Sequence, residues 1–305
     1  MEIAEETVLG PAAPAVEVAG VRNVRDAGGV GALRRGVLYR SGALHGLRPE
    51  GARRLAELGV RTVVDLRSVP EVAELPDDCR GLAVDHRHLP VFTERRWPVE
   101  QAELYPAMAE HAGPAAAALV RRLAEPGALP VLVHCASGKD RTGVVVAVLQ
   151  TLLGASEAET TADFLLSNAA LGLSAATAGP GHNSRPVAAV HLDRAMRWIR
   201  SRHGSVTDYL LAHGAREADL SAARAALGGR EVARVVPPAP LDRPPGRRLE
   251  TAPGASAPLP AGPERRVGAV LGDQAVVGIT PGVSTWVPVP GVSARRQDRR
   301  HADCQ

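Results

Sequence analysis

Apolar and polar positions follow two patterns along this chain. The short apolar run Pro130-Val131-Leu132-Val133 fits a strand buried on both faces, and the longer one from Val144 to Leu153 fits a buried helix. Arg61–Leu66 and Leu82–Leu89 read as further strands. Helices are marked by their ends. Pro49-Glu50 opens a short one that carries Leu55 and Leu58 and stops at Gly59. Ala115–Leu123 is helical and leads into the strand at 131. Ser156-x-x-Glu159 is a capping box for a helix through Asn168. Leu192, Met196 and Ile199 share one face of the next helix, which His203-Gly204 closes. Ser205-x-x-Asp208 caps another, and the last ends at Gly228-Gly229. Strands alternating with helices imply an α/β fold with an open, mostly parallel central sheet and helices on both faces.

Composition divides the chain. Residues 1–229 hold 25 of the 36 Lys+Arg and 26 of the 33 Asp+Glu, so they are nearly neutral. Residues 230–305 hold 11 arginines against 7 acids, with 12 of the 25 prolines, so the basic balance belongs to a tail. The expected organisation is a flexible, acidic N-terminus over 1–16, one catalytic domain over 17–229, and a Pro/Arg-rich, disordered tail over 230–305. The start has neither a basic region nor an apolar core, so no signal peptide is expected, and no stretch is long and apolar enough for a membrane span. Three cysteines (79, 135 and 304) make no disulfide framework and fit a reducing cytoplasm, though non-classical export stays open. Neither the cysteines nor the ten histidines show metal-ligand spacing, so no metal and no cofactor are expected. The arginine pairs of the tail at 247–248, 265–266, 295–296 and 299–300 read as a solvated segment, with contact to anionic lipid or nucleic acid as the alternative and no nucleic-acid partner expected. Oligomeric state is open.

The chemistry is concentrated between the apolar runs, in His134-Cys135-Ala136-Ser137-Gly138-Lys139-Asp140-Arg141-Thr142-Gly143. A loop curling from a strand into a helix N-terminus turns successive backbone N–H groups inward as an anion cradle, here with Ala136, Ser137, Gly138 and Lys139 as the binding residues. Helix N-termini and cationic neighbours also favour the thiolate of a cysteine placed there. Cys135 is then a nucleophile able to attack phosphorus, and Arg141 can grip two phosphoryl oxygens with its planar fork. Thr142 is expected to donate its hydroxyl to the thiolate when it leaves, and His134 to orient the cysteine backbone. Cys79 reads as a half-buried structural cysteine, with a resolving thiol as the alternative.

This loop resembles the Cys-x5-Arg element of the protein tyrosine phosphatase superfamily. Asn23-Val24-Arg25-Asp26-Ala27-Gly28-Gly29, Leu38-Tyr39-Arg40-Ser41 and Arg61-Thr62-Val63-Val64-Asp65-Leu66-Arg67-Ser68 precede it in the order seen in the bacterial tyrosine phosphatase family with lipid and dual-specificity members. The likeness covers roughly residues 15 to 229, with Val24 where the family usually has an aromatic residue. It implies a cysteine-phosphatase fold, a cysteinyl-phosphate intermediate, and phosphotyrosine proteins or phosphoinositides as substrates. It also implies a catalytic aspartate at Asp140. Asp65 matches another family aspartate and ends a strand, where the sites of open α/β sheets gather. Either can be the proton carrier, and Asp65 can instead pair with Arg67 or Arg25. Trp97-Pro98-Val99-Glu100 offers Glu100 as a third, weaker acid. Asp26 reads as a carboxylate holding its own turn. Lys139, the only lysine of the chain, would meet an extra inositol phosphate or add charge for a single phosphate. By resemblance residues 171–186 form a lid; by composition they are a solvated linker. Two rival readings stay open: a phospho-ligand binding module without turnover, and thiol chemistry that leaves Arg141 without a purpose.

Overall fold

The computed structural model describes residues 15–179 and 182–228. The chain divides into Met1–Ala239 and Pro240–Gln305, and every described residue belongs to the first unit. Residues 1–14 of the acidic start and the tail expected over 230–305 lie outside the described residues.

In chain order the elements are β1 (Arg25–Asp26), β2 (Leu38–Ser41), α1 (Pro49–Glu57), β3 (Thr62–Asp65), α2 (Val69–Glu74), β4 (Asp85–His88) and α3 (Gln101–Leu123). They continue with β5 (Val131–His134), α4 (Asp140–Leu152), α5 (Glu157–Leu171), α6 (Ala189–His203), α7 (Val206–Ala212) and α8 (Glu217–Leu227). Short 3₁₀ turns at Ala175–Thr177 and His182–Ser184 fill the connection between α5 and α6. The sheet order is β1-β2-β5-β3-β4; β2, β5, β3 and β4 run parallel, and only β1 is antiparallel to its neighbour.

The strands divide their side chains between two cores by simple alternation. Leu38, Val64, Val131 and Val133 face the larger core with α3, α4 and α6 to α8, whereas Tyr39, Val63 and Leu132 face a smaller one closed by Ala52 and Leu55 of α1. Central β5 is buried throughout; edge β4 is largely exposed. This placement fixes the site, because β5 is flanked on both sides and its C-terminal end opens at the middle of the sheet.

Four elements differ from the sequence expectation, beginning with β1 and β2, which add two strands to the three that the sequence marks. α3 runs 23 residues from Gln101, well before Ala115, and carries Pro106 and Pro114 inside it. Proline removes an amide donor and crowds the preceding turn, but Leu104, Tyr105, Met108, Ala109, Ala112, Ala116, Leu119 and Leu123 keep one stripe buried through both prolines. α2 was not anticipated; it is a six-residue helix started by a capping box from Ser68 to Glu71.

Candidate active site

β5 delivers the chain into the loop Cys135–Lys139, and α4 begins at Asp140. The loop turns at Gly138, where φ is +69° and a Cβ would lie 2.1 Å from the Ser41 carbonyl oxygen. Only glycine fits there. The loop's carbonyls are taken from behind. Ala136 O accepts the Ala43 N–H at 3.1 Å, Ser137 O accepts Asn23 Nδ2 at 3.0 Å, and Gly138 O accepts Arg40 Nη2 at 2.9 Å. With the carbonyls turned outward, the amides are left for the concave side, at the N-terminus of a 13-residue helix.

A cleft of about 160 Å³ opens over this loop. Cys135, Ser137, Asp140 and Arg141 form its floor, Phe92, Trp97 and Met108 an apolar wall, and Glu71 and Asn183 complete it. Glu71 holds the Arg141 fork at both ends, with Nη1 2.6 Å from Oε2 and Nη2 2.8 Å from Oε1. Burial alone would raise the Glu71 carboxyl, but the bonds from Arg141 and Ser68 bring it down to about 2. A guanidinium has five N–H donors, so three remain for an incoming oxyanion. The Arg141 Cζ lies 5.3 Å from the Trp97 ring centre, a cation–π contact that fixes the plane of the fork. Asp140 accepts the Tyr105 hydroxyl at Oδ1 and has the Lys139 ammonium 3.6 Å from Oδ2. Burial and the neighbouring Asp140 push the Tyr105 hydroxyl well above its ordinary range, so it stays a donor.

Behind the loop lies a buried ion network. Asp163 of α5 takes Arg25 Nε at 3.1 Å and Arg40 Nη1 at 2.6 Å. Arg25 also donates to Asn23 Oδ1 at 2.5 Å, and Asn23, held at φ +59°, passes the constraint to Ser137. Burial and the Arg40 charge lower Arg25 to about 10, still far above neutral pH. The motif blocks around Asn23 and Arg40 are thus the scaffold of the loop.

Residues 16–228 match the tyrosine phosphatase family. The chain belongs to that family. A tyrosine-protein phosphatase of Nostoc commune is 32% identical over 123 residues, 37% of this chain and 42% of the relative's length. A Cupriavidus necator protein named as a candidate tyrosine-protein phosphatase is 29% identical over 224 residues, 62% of this chain and 80% of its own. Among solved structures, P. aeruginosa TpbA is similar at 20% identity and a TM-score of 0.38, covering 67% of this chain and 98% of that one.

This family member departs from the sequence expectation at several residues. Lys139 is wholly buried and does not line the cleft; its ammonium is turned to the Arg185 carbonyl and Asp140. Asp65 is also wholly buried, with its oxygens 2.7–3.0 Å from Arg67 nitrogens, and is not among the residues that line the cleft. Thr142 Oγ1 is buried and has no hydrogen-bond partner among the described residues. Glu100 is an exposed residue capping α3. His134 Nδ1 lies 3.2 Å from the Cys135 carbonyl; Nε2 lies 2.9 Å from Asp77 Oδ2, off the line of a good hydrogen bond. Asp26 accepts the amides of Gly28 and Gly36 at 2.8 and 2.7 Å. Ala136 and Gly138 of the loop and Thr142 of α4 do not line the cleft. Burial and the charges of Asp77 and Asp78 push the Cys79 thiol up to about 11, which opposes a resolving role.

Asp65, Asp77, His86 and His134 bring ligand-type atoms within 4.8 Å of one another, a grouping that sequence spacing did not reveal. Arg67 bridges two of them, with Nη2 2.7 Å from Asp65 and 2.8 Å from Asp77, and supplies the positive charge between the carboxylates.

The site residues that sequence reasoning missed are Glu71, Phe92, Tyr105, Met108 and Asp163; Trp97 and Asn183 lie in segments singled out there for other reasons. Of these only Glu71 left a signal, the Ser68-x-x-Glu71 capping box directly after the Asp65-Leu66-Arg67 block. Glu71→Gln keeps the size but removes the charge that aligns Arg141. It is expected to lower kcat/KM about tenfold, in line with ~1.5–3 kcal/mol for a hydrogen bond to a charged group; a value within twofold of wild type would show that Arg141 needs no partner. Because the Glu71 carboxyl is depressed, its contribution to stability is complete above its ordinary value of 4.5 and is lost as pH falls towards about 2. The glutamine variant should lack that component of the acid-unfolding curve.

Proposed function

We propose that this protein is a cysteine-dependent phosphatase that hydrolyses aryl phosphomonoesters, with phosphotyrosine in proteins as its main substrate class. The observation that carries this is the cleft itself, in which Cys135 and Arg141 share a floor under the apolar wall of Phe92, Trp97 and Met108. At about 160 Å³ it is smaller than the roughly 300–1,000 Å³ of ordinary ligand pockets. That suits one phosphate on a flat ring better than an inositol carrying several phosphates. The buried position of Lys139 points the same way, since it removes the cation that would meet a second phosphate. The names of the Nostoc commune and Cupriavidus necator relatives agree with it.

In this reading Cys135 attacks phosphorus in line with the ester oxygen, while Arg141 and the loop amides hold the equatorial oxygens as charge develops. The S–P bond forms, the P–O bond breaks, and Asp140 gives the leaving oxygen its proton. Water then attacks phosphorus of the cysteinyl-phosphate: a new O–P bond forms, the S–P bond breaks, the Cys135 thiolate leaves, and the water proton goes to Asp140 as phosphate is released. Arg141 and the amides supply the positive field, so no metal is required. Among the described residues no helix is long and apolar enough to cross a membrane; a cytoplasmic setting is proposed from the three dispersed cysteines.

The test is hydrolysis of a phosphotyrosine peptide, a phosphoserine peptide and a phosphoinositide in parallel, with and without chelator. The expected order is phosphotyrosine first by at least about tenfold, the discrimination that one well-fitted apolar contact supplies, with no effect of chelator. A phosphoinositide rate equal to or above the peptide rate would overturn the substrate assignment. Asp140→Asn should lower kcat on the peptide by about 10²–10⁴, and far less on p-nitrophenyl phosphate, whose leaving group needs no proton. An equal loss on both would mean that Asp140 shapes the loop without carrying the proton.

A further inference from the structure

Lys139 is left without a role by the chemistry above, yet it is a wholly buried ammonium beside the catalytic floor. Such a group is costly to bury unless it is well bonded. Its Nζ donates to the Arg185 carbonyl and lies 3.6 Å from Asp140 Oδ2. Arg185 directly follows the 3₁₀ turn His182–Ser184, whose Asn183 lines the cleft. Two residues further on, Val187 is gripped from α5: Asn168 Nδ2 donates to Val187 O, and Asn168 Oδ1 accepts the Val187 N–H, both at 2.8 Å. Val187 itself is buried in the larger core. One short segment is therefore fastened twice, once to α5 through an amide and once to the phosphate loop through an ammonium.

The geometry points to Lys139 as a positioning residue, which holds the Asn183-bearing segment against the loop and so sets the width of the cleft for the group that carries the phosphate. This rests on the cysteine-phosphatase reading of the same site. It gives Lys139 an indirect part in specificity, through the Arg185 carbonyl, in place of contact with a second phosphate. It also links the segment to Asp140, because the ammonium that holds Arg185 is the one beside the proton carrier.

The chain's composition makes the test clean, since Lys139 is its only lysine and the terminal α-amine its only other primary amine. In the native full-length protein, an amine-acetylating reagent read by mass spectrometry should modify Lys139 at least about 50-fold more slowly than in the protein unfolded in urea. Lys139→Met should speed amide hydrogen exchange over residues 183–187 by about tenfold, the loss of one charge-assisted hydrogen bond. Lys139→Arg keeps a donor and should restore most of the protection. Asn168→Ala cuts the other fastening without touching the loop, so it decides the matter even if the lysine variants do not fold. It should accelerate exchange similarly, make Lys139 about tenfold more reactive, and raise KM for a phosphotyrosine peptide with kcat within about twofold. Rapid acetylation of native Lys139 overturns the proposal, as does exchange over 183–187 unchanged in Lys139→Met and Asn168→Ala alike. A loss in Lys139→Met confined to ligands with two phosphates overturns it too, by returning the lysine to substrate contact. A wild type that labels and exchanges as expected but hydrolyses nothing would sink the phosphatase reading and support the anchor.

Discussion

Cys135→Ser is expected to abolish turnover, by on the order of 10⁴-fold or more, while the loop still binds phosphate. Removing a nucleophile that works as a unit with its neighbours lowers kcat by roughly 10⁶ in a well-measured hydrolase, and a serine hydroxyl lacks the thiolate character on which attack depends. The loop amides, Arg141 and Glu71 are untouched by the change. Cys135 is 2% exposed, and its replacement by a slightly smaller atom leaves the surrounding packing in place. Initial rates on a phosphotyrosine peptide, with calorimetric titration of the same peptide into the serine variant, give both readouts. Residual turnover above about 1% of wild type would mean that hydrolysis does not pass through the thiol. Unchanged phosphopeptide affinity with no turnover in the wild type itself would favour a binding module.

Asp163→Ala is expected to lower stability by about 3–5 kcal/mol, the usual result of stripping one partner from a buried ion network. Against a total of about 5–15 kcal/mol for a domain, that is a large share. The substitution leaves Arg25 and Arg40, 3% and 0% exposed, as two like charges with no carboxylate between them. For a domain of this size the melting temperature should drop by about 6–20 °C. The acid limb should change as well. Burial pushes the Asp163 carboxyl up, but the charges and bonds of Arg40 and Arg25 outweigh it and leave it below its ordinary value. A depressed carboxylate contributes stability above its unfolded pKa, near 3.9, and loses it as pH falls through the folded one. The alanine variant should therefore show a flatter fall in stability below about pH 4. Activity should decline even where the variant is folded, because Arg40 also holds the Gly138 carbonyl. A melting temperature within about 2 °C of wild type would show that the two arginines find other partners.

The phosphate loop was legible in the sequence because everything it needs is contiguous: strand, cysteine, glycine at the turn, arginine in the first helical turn. Three of the five strands were legible as short runs between helices, whereas β1 and β2, which carry Arg25 and Arg40, were legible only as motif blocks. What stayed hidden depends on which way a side chain leaves the backbone. Lys139 sits between two residues that line the cleft or turn the loop, and nothing in its position says that its ammonium goes back to Arg185. Asp65 has two apparent partners in sequence, and it takes Arg67, two residues on, because Arg25 is drawn to Asp163 of α5. Asp163 is an ordinary acid in a helix until α5 is packed behind the loop. Trp97 precedes α3 in a segment without periodicity, and Tyr105 follows in a helix that Pro106 and Pro114 disguise.

Asp163 lies 138 residues from Arg25 and 123 from Arg40 along the chain. A ribosome therefore releases the entire signature string, nucleophile included, before the residue that steadies its back has been made. An emerging polypeptide that ends between Gly143 and the start of α5 carries the nucleophile, Arg141 and both rear arginines without the carboxylate that pairs them. Competence therefore waits for α5, and the catalytic string has to travel with β1, β2 and α5, whose Asp163 holds Arg25 and Arg40 together.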